Sequence, residues 1–203
     1  MIAIVDYGVG NLFSLKSSLS MIGAQAVVTS DPTIIRAAER IILPGVGAFG
    51  DARRKLNETG LDCVVCQEAE GGKPLLGICL GMQMLFDRSF EYGEHAGLGL
   101  IPGEVVPLSG AIEKSLKVPH IGWNALHIRQ PEHPLMKYTK NGDCVYFVHS
   151  FYAAKCEGST IAVSEYGIDV TAAAARGNVM GCQFHPEKSG RVGLDILKAF
   201  CEV

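Results

Sequence analysis

The first 80 residues alternate between short apolar runs and longer segments whose apolar side chains recur at helical spacing. The apolar runs predict four strands, at residues 2–5, 26–29, 40–43 and 74–78. The segments between them predict helices at residues 12–22, 49–58 and 61–69, with a further short helix after the N-cap and N1 signal Asp31-Pro32. This alternation predicts an α/β fold with a mostly parallel central sheet and helices on both faces.

After Gly93 the pattern changes to short alternating runs and turn signals. These runs predict strands at residues 105–106, 125–128, 144–148, 160–164, 170–176 and 179–184. Arg176-Gly177-Asn178 is typical of a hairpin turn, and a last helix is predicted over residues 190–201. We expect this half to extend the first sheet and to add a smaller antiparallel sheet. No linker interrupts the chain, so we expect one domain over residues 1–203.

Composition excludes several classes of function. The 203 residues are 48% hydrophobic and 19% charged, with a formal net charge of -3, which argues against disorder and against a nucleic-acid-binding surface. No apolar run is long enough to span a bilayer, and the N-terminus lacks the features of a signal peptide. Seven irregularly spaced cysteines favour a reduced, cytoplasmic chain over a disulfide framework.

Two short motifs resemble the sequence signatures of metal or redox sites and of dinucleotide-binding sites. Cys63 and Cys66 form a CxxC, but they lie in a predicted helix without a second pair, and we interpret them as two small apolar residues on one helix face. Gly8 and Gly10 begin a dinucleotide-binding fingerprint that fails at Phe13. We therefore expect these glycines to serve a tight turn, and we expect neither a metal nor a cofactor.

Cys79 stands where the fourth predicted strand gives way to a helix, between Gly77 and Gly81. This is the spacing of a nucleophile elbow, in which a sharp turn exposes the nucleophile and small flanking residues let backbones approach. The start of the helix favours a thiolate, and its free N–H groups can face an oxyanion. A buried structural cysteine is the alternative, and the elbow alone leaves both open.

A base for such a thiol is found in His185. Pro186 favours an extended conformation at His185, and residues two apart in an extended segment share a face, so Glu187 can orient the ring. The carboxylate would hold one ring nitrogen and leave the other to take the proton of Cys79. The alternative is a surface histidine in a turn. The other histidines lack such a partner, and we expect surface or loop positions for His95, His127 and His133.

A glycine-rich turn, Pro44-Gly45-Val46-Gly47, follows the third predicted strand. Glycines at such a place let the chain approach a substrate and direct amides toward it. The backbone N–H groups of Val46 and Leu80 are our candidates for an oxyanion hole. An ordinary tight turn is the alternative.

Together these motifs resemble the class I (triad) glutamine amidotransferase family. Its G-x-C-x-G-x-Q motif corresponds to residues 77–83 and its histidine–glutamate motif to residues 184–187, and the similarity covers nearly the whole chain. The resemblance implies the class I amidotransferase fold and hydrolysis of glutamine through a glutamyl thioester by a Cys79–His185–Glu187 triad. It also implies a set of glutamine-binding residues, namely Gly47, Gln83, Glu91, Ser150 and Phe151.

Further segments, above all Pro119-His-Ile-Gly-Trp-Asn124, resemble the family of glutaminase subunits of imidazole glycerol phosphate synthase. That resemblance implies a partner, a cyclase subunit with a (β/α)₈ barrel, which would use the ammonia to make imidazole glycerol phosphate and AICAR in histidine biosynthesis. It also implies candidates for the docking surface and gate, namely Asn11, His120, Trp123 and Lys188. We expect a structural role for His149.

Three alternatives remain open on the residues alone. Another hydrolase with the same elbow, such as a γ-glutamyl peptidase, would work without a partner. A catalytically silent binding module would not need Cys79, His185 and Glu187 together. A subunit of a different amidotransferase would share the triad and deliver ammonia to another acceptor.

Overall fold

The structure, a computed structural model that describes residues 1–203, contains fourteen β-strands and six α-helices. The strands are β1 (Ile2–Val5), β2 (Ala26–Thr29), β3 (Arg40–Gly45), β4 (Leu75–Cys79), β5 (Phe86–Ser89), β6 (His95–Ala96), β7 (Ile101–Pro107), β8 (His120–Ala125), β9 (His127–Ile128), β10 (Cys144–His149), β11 (Phe151–Ala154), β12 (Thr160–Glu165), β13 (Asp169–Arg176) and β14 (Val179–Cys182). The helices are α1 (Leu12–Met21), α2 (Pro32–Ala37), α3 (Phe49–Glu58), α4 (Leu61–Glu70), α5 (Leu80–Met84) and α6 (Gly190–Cys201).

Eight strands form the central sheet in the order β2-β1-β3-β4-β14-β13-β12-β9. The first five run parallel to one another, and β13, β12 and β9 continue the sheet in antiparallel pairs. Strands from the second half of the chain therefore extend the sheet begun by the first half, as predicted. The turn at residues 176–178 joins β13 to β14 as an antiparallel hairpin.

The alternation of side chains along β1 shows why both faces of the sheet are covered. Ile2 and Ile4 belong to an apolar core that includes residues of α1 and α6, whereas Ala3 and Val5 belong to a second core that includes residues of α2, α3 and α4. The two cores lie on opposite faces of the sheet, because successive residues of a strand point in opposite directions. None of the six helices is long and apolar enough to cross a membrane.

Two smaller β structures pack beside the central sheet. A four-stranded sheet has the order β11-β7-β5-β6, with two antiparallel pairs and one parallel pair between β5 and β7. The smaller sheet is therefore mixed rather than purely antiparallel. A separate antiparallel ribbon is formed by β8 and β10, and it carries residues of the predicted docking surface.

Most predicted elements are confirmed within a residue or two, and β1, β2 and α6 have the predicted bounds. The short helix also begins as predicted, because the Asp31 carboxylate accepts a hydrogen bond from the Thr33 N–H at 2.7 Å. The single strand predicted at residues 125–128 is wrong. The structure has β8 and β9 there, separated by Leu126. The strands β5, β6 and β11 are polar or short and were not predicted. They form because they pair with neighbouring strands, and their own sequences carry no clear apolar alternation.

The CxxC pair lies on α4, as predicted, but the two thiols do not share one environment. Cys63 is exposed and Cys66 is partly buried, and all seven cysteines are free. Burial raises the pKa of the Cys66 thiol to about 11. The two residues lie three apart on one helix, as predicted, and their interpretation as small apolar residues rather than a redox or metal motif stays a prediction.

Candidate active site

A cavity of about 410 Å³ lies where β3 and β4 end, at the carboxyl edge of the parallel strands. Ten of the predicted site residues line it: Val46, Gly47, Cys79, Leu80, Gln83, Glu91, Ser150, Phe151, His185 and Lys188. Glu187 and Asn11 line a small adjoining cavity that also contacts His185. The structure therefore brings together segments that are more than 100 residues apart in the sequence.

Cys79 has a strained backbone at the junction of β4 and α5. Its φ of 54° and ψ of -111° lie outside the conformations that non-glycine residues ordinarily adopt. Such a conformation costs on the order of 1–3 kcal/mol and persists only where the surrounding structure enforces it. The flanking glycines allow the strain, since a methyl group on Gly81 would overlap the Leu43 carbonyl and one on Gly77 would lie 2.7 Å from the Gly81 carbonyl oxygen. Cys79 thus has the geometry of a nucleophile elbow.

His185 and Glu187 form a buried pair beside Cys79. The Nδ1 atom of His185 lies 2.8 Å from Oε1 of Glu187, and their side chains are 3% and 4% exposed. Burial by itself lowers the pKa of His185, but the interactions of the ring with the Cys79 sulfur and the Glu187 carboxylate outweigh it and raise the pKa to about 9. At neutral pH the ring is therefore mostly protonated.

The backbone conformation that brings the Glu187 side chain to His185 differs from the predicted one. His185 is extended, as the following proline requires, but residues Pro186–Lys188 form a 3-10 turn rather than a continuing extended segment. The turn folds the carboxylate back toward the ring. The second carboxylate oxygen of Glu187 is buried without a protein partner, at the small cavity that Asn11 also lines.

The turn after β3 presents free backbone groups to the cavity. The Val46 N–H donates to no acceptor within the protein, and Gly47 has a φ of 91°. The strand end before them is held by Tyr7, whose hydroxyl donates to the Pro44 carbonyl at 2.7 Å. Leu80 is the first residue of α5, where N–H groups lack helical partners. Val46 and Leu80 therefore line the cavity in positions where an oxyanion hole is feasible.

Gln83 extends from α5 into a network of buried side-chain amides. Its Nε2 donates to the Phe151 carbonyl at 3.0 Å and to Oε1 of Gln183 at 2.9 Å. Gln183 in turn donates from Nε2 to the Cys79 sulfur at 3.7 Å. Gln183 was not predicted as a site residue. The one sequence feature that could have indicated it is its position two residues before His185.

Glu91 also lines the cavity. Its Oε2 accepts a hydrogen bond at 2.8 Å from the backbone N–H of Phe49, the first residue of α3. Burial raises the pKa of Glu91, and the hydrogen bond to Phe49 opposes this increase. Glu91 thus supplies a carboxylate, held by a helix N-terminus, on the wall of the cavity.

His120 is fully buried, so the prediction that it belongs to an exposed docking surface is wrong, whereas its predicted part in the gate stays a prediction. Its ring stacks on Tyr166 and Phe147, and its nitrogens lie 3.0 Å from His149 Nε2 and 2.8 Å from Asn124 Oδ1. The alternation of side chains along β8 turns His120 toward the interior, and this could not be inferred without the bounds of the strand.

His149 connects His120 to the cavity. Its Nδ1 lies 2.9 Å from the Phe151 carbonyl, which can only accept a hydrogen bond. Burial lowers the pKa of His149 to about 4, so this ring is neutral at neutral pH.

Trp123 and Lys188 occupy exposed positions near the cavity, as a docking surface requires. Trp123 is 55% exposed and packs edge-on against Tyr146. Lys188 is also exposed, and its ammonium group lies 5.9 Å from the centre of the Tyr146 ring. The two side chains therefore flank the same aromatic ring at the rim of the site.

Comparison with known proteins identifies the family. The sequence profile described as "Glutamine amidotransferase class-I" matches residues 3–202. Curated relatives include "Imidazole glycerol phosphate synthase subunit HisH" of Lacticaseibacillus casei (strain BL23), 51% identical over 203 residues that cover 100% of this chain and 96% of that protein. The protein of the same name from Wolinella succinogenes is 47% identical over 205 residues and is covered completely.

The chain belongs to the HisH family of class I glutamine amidotransferases. It is therefore a glutamine amidotransferase, and the resemblance inferred from its motifs is confirmed. Solved structures of similar fold include one titled "Crystal structure of glutamine amidotransferase", with a TM-score of 0.77 at 20% identity, covering 100% of this chain and 98% of that one. "Structure of PurLQS from Thermotoga maritima" matches with a TM-score of 0.74 at 22% identity, covering 99% and 97%. These two likenesses confirm the predicted fold class.

Proposed function

We propose that this HisH-family chain hydrolyses glutamine to glutamate and ammonia with Cys79 as nucleophile, His185 as proton carrier and Glu187 as the group that orients His185. The observation that carries the proposal is the strained Cys79 elbow, which opens into one cavity with the Glu187-bound imidazole. A nucleophile, a base and an orienting carboxylate in this arrangement are the requirements of covalent acyl transfer.

The reaction proceeds by two acyl transfers. His185 takes the proton of the Cys79 thiol, the sulfur attacks the side-chain amide carbon of glutamine, and the N–H groups of Val46 and Leu80 stabilise the oxyanion. The carbon–nitrogen bond then breaks, and His185 gives its proton to the leaving nitrogen. The ring carries this proton at neutral pH because its pKa is about 9. Water, giving a proton to His185, attacks the thioester and releases glutamate and the Cys79 sulfur.

The remaining cavity residues suit the polar groups of glutamine. Gly47, Ser150 and Phe151 bring backbone to the wall of the cavity, and Gln83 and Glu91 bring side-chain oxygens. The Oε1 atom of Glu91 has no partner within the protein and can accept a hydrogen bond from the α-ammonium group. We assign these five residues to glutamine binding.

Release of ammonia into water would protonate it and remove its nucleophilicity, so a second active site must receive it directly. The start of β8 and the segment before it support this proposal, since Val118, Ile121 and Trp123 are 40%, 59% and 55% exposed beside the cavity-lining Pro119. An exposed apolar group of this kind is typical of a protein interface. We assign it to a cyclase subunit with a (β/α)₈ barrel, which forms imidazole glycerol phosphate and AICAR, with Asn11, Trp123 and Lys188 near the passage.

The substitution Cys79→Ala tests the proposal. It removes the only sulfur in the cavity, and we expect glutamine hydrolysis to fall to background while the complex still makes product from added ammonium salt. Product formation from glutamine and from ammonia would be measured separately in the same preparation. Glutaminase activity that survives the substitution would refute the assignment of the nucleophile, and loss of both activities would refute the separation of the two sites.

A further inference from the structure

The side-chain amide of Gln183 contacts the Cys79 sulfur, with Nε2 as the donor at 3.7 Å. Gln183 follows β14, its side chain is fully buried, and its backbone N–H donates to the Ala172 carbonyl at 2.8 Å. Its location is therefore fixed by the sheet. The catalytic steps described above do not use this residue.

The orientation of the Gln183 amide follows from its neighbours. The Phe151 carbonyl can only accept, so the atom of Gln83 that lies 3.0 Å from it must be the Nε2 donor. The same nitrogen lies 2.9 Å from one atom of the Gln183 amide, which must then be the acceptor Oε1. The atom of Gln183 that faces Cys79 is consequently the donor Nε2. A backbone carbonyl thus determines, through two side chains, which end of the amide meets the sulfur.

A hydrogen-bond donor beside the Cys79 sulfur stabilises one of its protonation states more than the other. An N–H group interacts more strongly with a negatively charged acceptor than with a neutral one, so it stabilises a thiolate over a thiol. A buried amide is also costly unless both its ends are bonded. An apolar side chain of similar volume would avoid that cost, but it could neither accept from Gln83 nor donate to Cys79.

We propose that Gln183 is the hydrogen-bond donor that holds and stabilises the reactive Cys79 thiolate, in an orientation imposed by Gln83. This inference rests on the proposed function, in which Cys79 is the nucleophile. It makes Gln83 a residue with two roles, since the side chain assigned to glutamine binding also orients the donor to the sulfur.

The test measures the rate of alkylation of Cys79 by iodoacetamide between about pH 5 and pH 10, read by mass spectrometry of its peptide. Exposed Cys63 in the same molecule is the internal reference thiol. In the unaltered protein we expect Cys79 to react well below the pH at which Cys63 does. The substitution Gln183→Met keeps the volume but removes the donor, and we expect the Cys79 rate near pH 6.5 to fall about tenfold, the factor associated with a hydrogen bond to a charged group.

The pH profile separates this role from a structural one. Loss of a donor to the thiolate moves the Cys79 profile to higher pH by about one unit and leaves the rate at pH 10 unchanged, whereas a packing defect changes the rate at every pH. Gln67→Met, on the exposed face of α4, is the matched control and should leave both profiles unaltered. Gln83→Leu, which frees the Gln183 amide to rotate, should move the profile in the same direction and covers the case in which Gln183→Met does not fold.

Two results overturn the inference, and they are distinguishable. If Gln183→Met or Gln83→Leu is folded and has the pH profile of the unaltered protein, Gln183 is not a donor of consequence, and the proposed function stands. If Cys79 in the unaltered protein reacts no faster than Cys63 at any pH, the nucleophile itself is misassigned, and the proposed function fails together with the inference.

Discussion

Among single residues, Cys79 differs from the other six cysteines in its backbone rather than in its chemistry. Three non-glycine residues have a positive φ, namely Cys79, Tyr92 and Lys155. Tyr92 and Lys155 are exposed, whereas Cys79 is buried at the junction of β4 and α5 and opens into the cavity. Strain at a buried position indicates function, because the cost is offset only where the surrounding structure enforces the conformation.

The residues of the proposed triad could be selected from the sequence because each carries a local signal: two glycines around Cys79, and a proline between His185 and Glu187. The roles of Gln183 and His120 could not be predicted in the same way. Gln183 contacts Cys79 across 104 positions of sequence, and His120 contacts His149 across 29. Contacts of this range depend on the pairing of strands, which has no local signature.

The burial of His149 can be tested through the pH dependence of folding stability. Its pKa of about 4 in the folded state lies below the model-peptide value of 6.5, so the neutral ring contributes stability that is complete above pH 6.5 and is lost as pH falls toward 4. Between pH 7 and pH 5 the loss amounts to about 2 kcal/mol. We expect His149→Gln to abolish that part of the decrease, as measured by urea unfolding at the two pH values. A variant that loses as much stability as the unaltered protein over this range would contradict the assignment.

Among the elements, the junction of β4 and α5 depends on a close approach of backbones. Gly81, the second residue of α5, lies so near the end of β3 that any side chain would overlap the Leu43 carbonyl. The spacing of glycines around Cys79 predicted this crowding. The missed strands β5, β6 and β11 are the opposite case, since they exist only through pairing with each other and with β7.

The substitution Gly81→Ala tests the crowding. We expect it to lower the free energy of unfolding by about 3 kcal/mol or more, because the backbone cannot move away without breaking the pairing of β3 and β4. Gly158→Ala is the matched control, since a methyl group there meets nothing within 4 Å and no positive φ is involved. Both would be measured by urea unfolding. Equal stability of the two variants would show that the elbow tolerates a side chain.

For the whole molecule, the decisive feature is that β14 lies between β4 and β13 in one sheet. The strand that precedes His185 is thereby placed beside the strand that ends in Cys79. Neither half of the chain alone supplies all the residues of the proposed active site. We therefore propose that residues 1–203 form one domain, whose two halves are joined through the catalytic edge of the sheet.

The proposed partner can be tested on the surface of the intact molecule. Trp123→Ala removes the largest exposed apolar side chain of the β8–β10 ribbon, and we expect the affinity for the cyclase subunit to fall about tenfold or more. Met21→Ala is the control, since Met21 is 74% exposed at the last residue of α1 and lines neither cavity of the site. Titration calorimetry or sedimentation would measure both. Undiminished affinity with Trp123→Ala would remove this residue from the docking surface.

The most direct test of the central claim, that Cys79 attacks glutamine, is covalent labelling by an electrophilic glutamine analogue. The protein, alone and with its partner subunit, would be inactivated and digested, and the modified residue would be identified by mass spectrometry. We predict one label per chain, on Cys79, and protection by excess glutamine, although Cys63 and Cys144 are more exposed. Modification of Cys63, Cys66 or Cys144 instead, or inactivation without a label on Cys79, would contradict the account.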